Sequence, residues 1–121
     1  MQSKQRSLIR RSVDGLRGLA EGWRREQSLR TQVLASALAL AIILFLQPPL
    51  AWQLAFAAIL MVGFAAELLN GSIEALLDRV HPDHDPEIGA AKDMSSAAVL
   101  VINIASTAIF VGSVVACFWN R

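Results

Sequence analysis

The feature that most limits what this chain can fold into is the absence of charge along two long stretches. From Thr31 to Ala66 there are 36 consecutive residues without Asp, Glu, Lys or Arg, and from Met94 to Trp119 there are 26 more. About 20 apolar residues in a helix cross the hydrocarbon core of a bilayer. The first stretch therefore holds two crossings and the second holds one. Composition agrees, with 55% of the 121 residues hydrophobic and 17% charged, too few charges to cover a soluble domain of this length. The expected fold is an all-α membrane protein with three transmembrane helices, forming one domain over residues 1–121.

The breaks in the pattern set the spans. Thr31–Leu46 forms the first, but its sixteen residues rise only about 24 Å, so it borrows a turn from a neighbouring segment. Gln47, Pro48 and Pro49 then close a tight hairpin, because two prolines remove donors and oppose helix continuation. The second span starts near Ala51 and stays apolar to Ala66. Beyond this lies the helix-compatible but polar stretch AELLNGSIEALLDRV (66–80), and the second span with its cytoplasmic extension is taken over 51–77. From Val80 to Ala91 a loop is expected, with Pro82 and Pro86 as breakers and Asp83, Asp85 and Glu87 as solvating charges. His81 and His84 belong to that solvated loop. The third span runs over 94–119, and Asn120 and Arg121 are left as a stub. Cys117, the single cysteine, reads as a small apolar packing residue.

Residues 1–30 carry eight basic and three acidic side chains. Ile9, Val13, Leu16, Ala20 and Trp23 recur at helical spacing, with Arg10, Asp14, Arg17, Glu21 and Arg24 opposite. A basic amphipathic helix just before a span reads as lying in the membrane interface. Its charged section is too long for the n-region of a signal peptide, and no cleavage site follows a short apolar segment, so the chain is expected to be retained whole. The positive-inside rule places the basic N-terminus and the loop flanked by Arg79 and Lys92 in the cytoplasm. The uncharged Pro-Pro hairpin and the C-terminus then lie outside, with Trp52 and Trp119 at the outer interface.

Where the second span leaves the bilayer, Glu67, Asn70, Glu74 and Asp78 follow at spacings of 3, 4 and 4. They occupy an arc of roughly 80° on one helix face, over about 16 Å. Leu68, Leu69, Ile73, Ala75, Leu76 and Leu77 cover the remainder. One reading is a helix end protruding into water with a solvated acidic face. Against it, the leucine-rich remainder needs apolar surroundings, and ionisable groups at membrane depth are functional candidates. A divalent cation would neutralise the acids. Mg²⁺ suits them, since it takes one or two carboxylates and completes its shell with water and phosphate. On the third helix Lys92, Ser96 and Asn103 share a face. Lys92 either pairs with Asp78 or meets a phosphate, helped by the helix N-terminus. Carboxylates, a divalent metal and a lysine at an interface suggest phosphoryl transfer onto a lipid.

The segment ELLNGSIEALLDR (67–79), followed by AKDMSSAAV (91–99), resembles the bacterial integral-membrane diacylglycerol kinase family. That family has a pattern similar to E-x-x-N-[ST]-[SA]-x-E-x-x-x-D and then a K-D-x-x-S-A-A-V segment. WRREQSLR (23–30) resembles the family's Glu-and-Arg stretch before the first span, and the likeness runs from about Gly18 to the C-terminus. One position departs: Gly71 stands where the family usually has Ser or Thr.

The resemblance implies an ATP- and Mg²⁺-dependent kinase converting diacylglycerol to phosphatidic acid. It also implies a homotrimer in the bacterial cytoplasmic membrane with active sites shared between neighbours. Carried over residue by residue, Glu67 is the general base and Asn70 orients the site. Glu26 and Glu74 hold the Mg²⁺-nucleotide, Lys92 meets the phosphates, and Asp78 and Asp93 shape the nucleotide side. Arg10 and Arg17 are possible nucleotide contacts. No G-x-x-x-x-G-K-[ST] phosphate loop is present. Two other readings stand beside this one. An undecaprenol kinase of the same family would use the same sites with another lipid. A non-enzymatic cation-binding or channel-like protein would line a pore with Glu67 and Glu74, although the acids stop at one interface.

Overall fold

The computed structural model describes residues 7–119, which form four helices: α1 (Leu8–Arg25), α2 (Gln27–Leu46), α3 (Leu50–Val80) and α4 (Pro86–Trp119). The start of the basic segment before Ser7 and the Asn120–Arg121 stub lie outside the described residues. Three of the helices, α2, α3 and α4, are long and apolar enough to cross a membrane.

Ser7 opens α1, its hydroxyl oxygen accepting from the Arg10 amide at 3.1 Å, which satisfies one of the unpaired donors of the first turn. No residue of α1 is buried. Among the described residues Leu8, Ile9 and Leu16 stay exposed, which leaves this part of the apolar stripe open to a bilayer surface. Arg24 and Arg25 both pair with Glu21, at 2.7 and 3.0 Å. The Arg24 guanidinium holds the Glu21 carboxyl below the usual carboxylate range.

The helix of the first span begins at Gln27, ahead of the charge-free run. This is the turn that the short span borrows, and it brings α2 to 20 residues, or about 30 Å. At its far end Gln47 adopts φ 56°, ψ 56°, and its amide closes on the Ile43 carbonyl at 3.0 Å. A left-handed residue at this position satisfies a terminal carbonyl and turns the chain. Pro48 and Pro49 complete the hairpin, and the Gln53 side chain donates to the Pro48 carbonyl at 2.8 Å.

Helix α4 begins at Pro86, earlier than the loop expected to reach Ala91. Pro86 is not a breaker here. Its missing N–H falls in the first turn, where no intrahelical partner exists, and its fixed φ suits a helix start. Asp85 completes the signal: its carboxylate accepts from the Glu87 amide at 2.8 Å and its carbonyl from the Gly89 amide at 2.9 Å. The connection therefore shrinks to His81–Asp85, where His81 Nε2 lies 3.3 Å from Asp85 Oδ2.

Helix α4 packs chiefly on α3. α2 flanks both, and α1 rests on α2 and α3 at one end of the bundle. Among the described residues the core within the chain is thin, its buried hydrophobic side chains being Leu29, Ile43, Phe56 and Cys117. The Phe56 and Phe110 rings meet at 5.6 Å and 55°, a favourable tilted contact. Cys117 packs as expected, its thiol donating to the Leu46 carbonyl at 3.0 Å. Leu34, Leu38, Met61, Val101 and Ile104 remain exposed, which suits a lipid-facing surface. In lipid, helices associate through packing and polar contacts rather than through burial from water.

Candidate active site

The buried positions of α3 are Phe56, Gly63, Glu67 and Gly71. Their spacings of 7, 4 and 4 define one packed face, and Glu67 lies on it with a glycine one turn to either side. Glu67 is 7% exposed. Its Oε2 is shut off from solvent and has no hydrogen-bond partner, a costly state for a carboxylate oxygen. From Leu50 to Glu67 the helix rises about 26 Å, close to the full hydrocarbon thickness of about 30 Å. Glu67 therefore sits near the boundary of the apolar layer.

Exposure increases along the acidic face. Asn70 is half-buried and its Oδ1 accepts from the Ser95 hydroxyl of α4 at 2.7 Å. Glu74 is half-buried. Asp78 is exposed and forms an ion pair with Lys92. Of the two partners open to Lys92 from sequence, this structure shows Asp78. A fully solvated acidic face does not describe the stripe, because only its outer end is solvated.

The fourth acid arrives from another element. Glu26 is the single non-helical residue between α1 and α2, with φ −105° and ψ 104°. Arg30 braces this joint by donating to the carbonyls of Trp23 and Arg24, which the end of α1 leaves unpaired. The Glu26 side chain rests on Gly71. A Cβ at residue 71 would stand 3.0 Å from Glu26 Cδ, 3.1 Å from Cγ and 3.3 Å from Oε1. The one departure from the family pattern thus forms the seat of a candidate metal ligand, at a point on α3 between Glu67 and Glu74. A cavity of about 470 Å³ opens there between α1 and α3, lined by Gly18, Glu21, Glu26, Leu68 and Ser72 among others.

A second cavity, of about 510 Å³, reaches Glu67 from α2 and α4, past Ser28, Thr31, Gln32 and Asn103. Glu67 therefore faces one opening while Glu26 borders another. Among the described residues no basic side chain pairs with Glu26, Glu67 or Glu74. Nor do three acid, His or Cys side chains converge as a metal cage among them. A cation held by one or two carboxylates, with its remaining positions open, fits this set.

The structure brings Glu26, Glu67, Asn70 and Glu74 to one stretch of α3 and sets Asp78 and Lys92 further out as a pair. Asp93 is exposed near the α4 start, and Arg10 and Arg17 are exposed on α1. Two features escape the sequence. Ser95 turns toward Asn70. Gln32 reaches Asn103 at 3.0 Å, and the signal for it was an amide inside a charge-free run.

An all-α chain with three membrane-spanning helices, an open amphipathic helix and carboxylates graded across an interface defines a multi-pass membrane protein with an interfacial site. Residues 14–115 match the family model described as prokaryotic diacylglycerol kinase. The chain is 33% identical over 94 residues to the diacylglycerol kinase of Escherichia coli K12, covering 78% of this chain and 77% of that one. It is 29% identical over 100 residues to the diacylglycerol kinase of Pseudomonas aeruginosa, covering 83% and 81%. The chain belongs to the prokaryotic diacylglycerol kinase family, and is a multi-pass bacterial membrane kinase.

Proposed function

We propose that this protein transfers the γ-phosphoryl group of ATP to the free hydroxyl of diacylglycerol, yielding phosphatidic acid and ADP at the cytoplasmic face of the membrane. The observation that carries the reading is Glu67: a carboxylate with a buried, unpartnered oxygen, placed near the edge of the apolar layer and open to a cavity. A lipid hydroxyl lies at that depth, so the substrate need not leave the bilayer.

The steps follow from the residues. The lipid hydroxyl hydrogen-bonds to the Glu67 carboxylate, and its oxygen attacks the γ-phosphorus. The hydroxyl proton passes to Glu67 as the new P–O bond forms, and the bond to the bridging oxygen breaks with ADP as leaving group. Asn70, held through its oxygen by Ser95, keeps its amide N–H groups for a substrate oxygen. Mg²⁺ would be held by Glu26 and Glu74 and would neutralise phosphate oxygens during transfer. Lys92 meets the phosphates on the outer side, with Asp78 holding it in place and Asp93 beside the nucleotide.

The basic first 30 residues support a cytoplasmic N-terminus and a periplasmic C-terminus. The thin core and the open apolar faces support assembly as a homotrimer whose neighbours complete each site. Transfer of ³²P from labelled ATP to lipid by the purified protein in bilayer discs tests the reading. Label is expected in phosphatidic acid when diacylglycerol is supplied, and only with Mg²⁺ present. Label in undecaprenyl phosphate alone would reassign the acceptor, and transfer to neither lipid would remove the kinase assignment.

A further inference from the structure

Deeper than Glu67, the bundle is polar where packing alone asks for no polarity. Gln32 Nε2 donates to Asn103 Oδ1 at 3.0 Å, joining α2 to α4. Gly63 makes room for this pair on α3: a Cβ there would stand 3.6 Å from Gln32 Nε2 and 3.4 Å from Ile102 Cγ2. Gly63 is one turn before Glu67, so the amides lie about 6 Å deeper. Two cavities share them. The cavity of about 510 Å³ links the pair to Glu67, and one of about 310 Å³ continues past Ser36 and Phe56 toward Phe110.

Two of the nearby hydroxyls are already committed. Ser106 and Thr107 both donate to the Asn103 carbonyl, at 3.0 and 2.8 Å. The amides are not. Two side-chain amides carry four N–H groups, and a single amide–amide bond uses one, whichever way each amide is turned. Three donors therefore border these cavities, the deeper of which is walled largely by Ala35, Ala39, Phe56, Leu60 and Phe110, and an unmet donor in apolar surroundings costs free energy.

We propose that the Gln32–Asn103 pair selects an acylglycerol as the acceptor by donating to its ester carbonyls while the free hydroxyl lies at Glu67. This rests on the lipid kinase reading given above and names what distinguishes its substrate. In diacylglycerol the ester groups hang from the two glycerol carbons that follow the hydroxyl-bearing one. With the hydroxyl at Glu67, the carbonyls fall about one turn deeper, where the amides stand, and the acyl chains continue along α2 and α4. A polyprenol carries only hydrocarbon beyond its hydroxyl and leaves the donors unmet. A site built to hydrogen-bond a group rejects the analogue lacking it far more strongly than an apolar pocket rejects a small change in size.

The test uses the full chain in bilayer discs with three acceptors: diacylglycerol, a dialkylglycerol with the same chains and hydroxyl but no carbonyls, and a polyprenol. Wild-type protein is expected to favour the ester over the ether lipid by about tenfold or more in kcat/KM, carried mainly by KM. Asn103→Leu and Gln32→Leu are expected to lower kcat/KM for the ester lipid toward the ether value, so that the ratio approaches one. Equal use of ester and ether lipid by wild type overturns the proposal without any variant, as does better use of the polyprenol. An unchanged ratio in an Asn103→Leu protein whose oligomeric state shifts assigns the groove to a neighbouring copy's helix and overturns it as well. Phosphorylation of none of the lipids by wild type strikes the kinase reading instead.

Discussion

Glu67 and Asp78 stand on the same face of the same helix, about three turns apart. The inner acid is 7% exposed and has an oxygen with no partner. The outer one has a side chain 65% exposed and a lysine beside it. Their periodicity is identical and their surroundings are opposite. Packing makes the difference: Gly63 and Gly71 bracket Glu67 on the face that meets the rest of the bundle, whereas Asp78 stays exposed at the edge of α3, beside Lys92 of α4. An acid that the fold leaves unpartnered keeps an oxygen free for a ligand. An acid already neutralised by a neighbour is suited to holding that neighbour in place.

The largest expected consequence lies at the inner end. Glu67→Gln keeps the shape and removes the base, and a positioned base contributes roughly 100- to 10,000-fold to rate. Loss of lipid phosphorylation on that scale is expected, with the oligomer intact by size-exclusion chromatography in detergent. Near-normal turnover would take the base role away from Glu67. The middle of the stripe comes next. Glu26→Gln and Glu74→Gln are expected to raise the Mg²⁺ concentration for half-maximal activity about tenfold or more, read by titrating the metal at fixed ATP. Gly71→Ser, which introduces the Cβ that would crowd Glu26, is expected to shift the same titration in the same direction by less. A Gly71→Ser protein with a wild-type Mg²⁺ profile would show that the seat is not needed for the ligand.

At the outer end the stability effect is small. A double-mutant cycle on Asp78 and Lys92 is expected to give a coupling of about 0.2–1 kcal/mol, as for other exposed pairs, measured by thermal unfolding in detergent. A coupling well above that would mean that the outer pair is as dependent on its surroundings as the inner acid. Smallest of all is the effect of Asp85 beyond the stripe. The Glu87 amide holds its carboxyl below the usual carboxylate range. The folded value is thus lower than the unfolded one. Its contribution is complete above the unfolded value and is lost as pH falls through the folded one. Protection of the Glu87 and Gly89 amides, measured against their intrinsic exchange rates, should fall in acid, and Asp85→Ala should bring that lower protection to neutral pH.

The spans were legible because they depend on the number of uncharged residues in a row, which a sequence states outright. The hairpin was legible because Gln47-Pro48-Pro49 leaves the chain few alternatives. The start of α4 was not, because proline stops a helix in its interior and begins one at its first position. Telling these apart required knowing that Asp85 caps the turn. The identities of Glu67, Asn70, Glu74 and Asp78 came from helical spacing, but spacing alone does not rank them by burial. Gly71 looked like a loss of a hydroxyl on α3. Its meaning depended on Glu26, 45 positions away in the chain, settling against it. Gln32 and Asn103 were invisible as a pair for the same reason, since hydrogen bonds between helices depend on register and not on local pattern.

The joint at Glu26 has a mechanical consequence. Helix α1 is an arm of 18 residues, about 27 Å long, with its apolar side open to the bilayer surface and its pivot at the residue that carries a carboxylate. Because the arm also packs on α2 and α3, the way it lies on the leaflet and the seat of that carboxylate on Gly71 belong to one rigid joint.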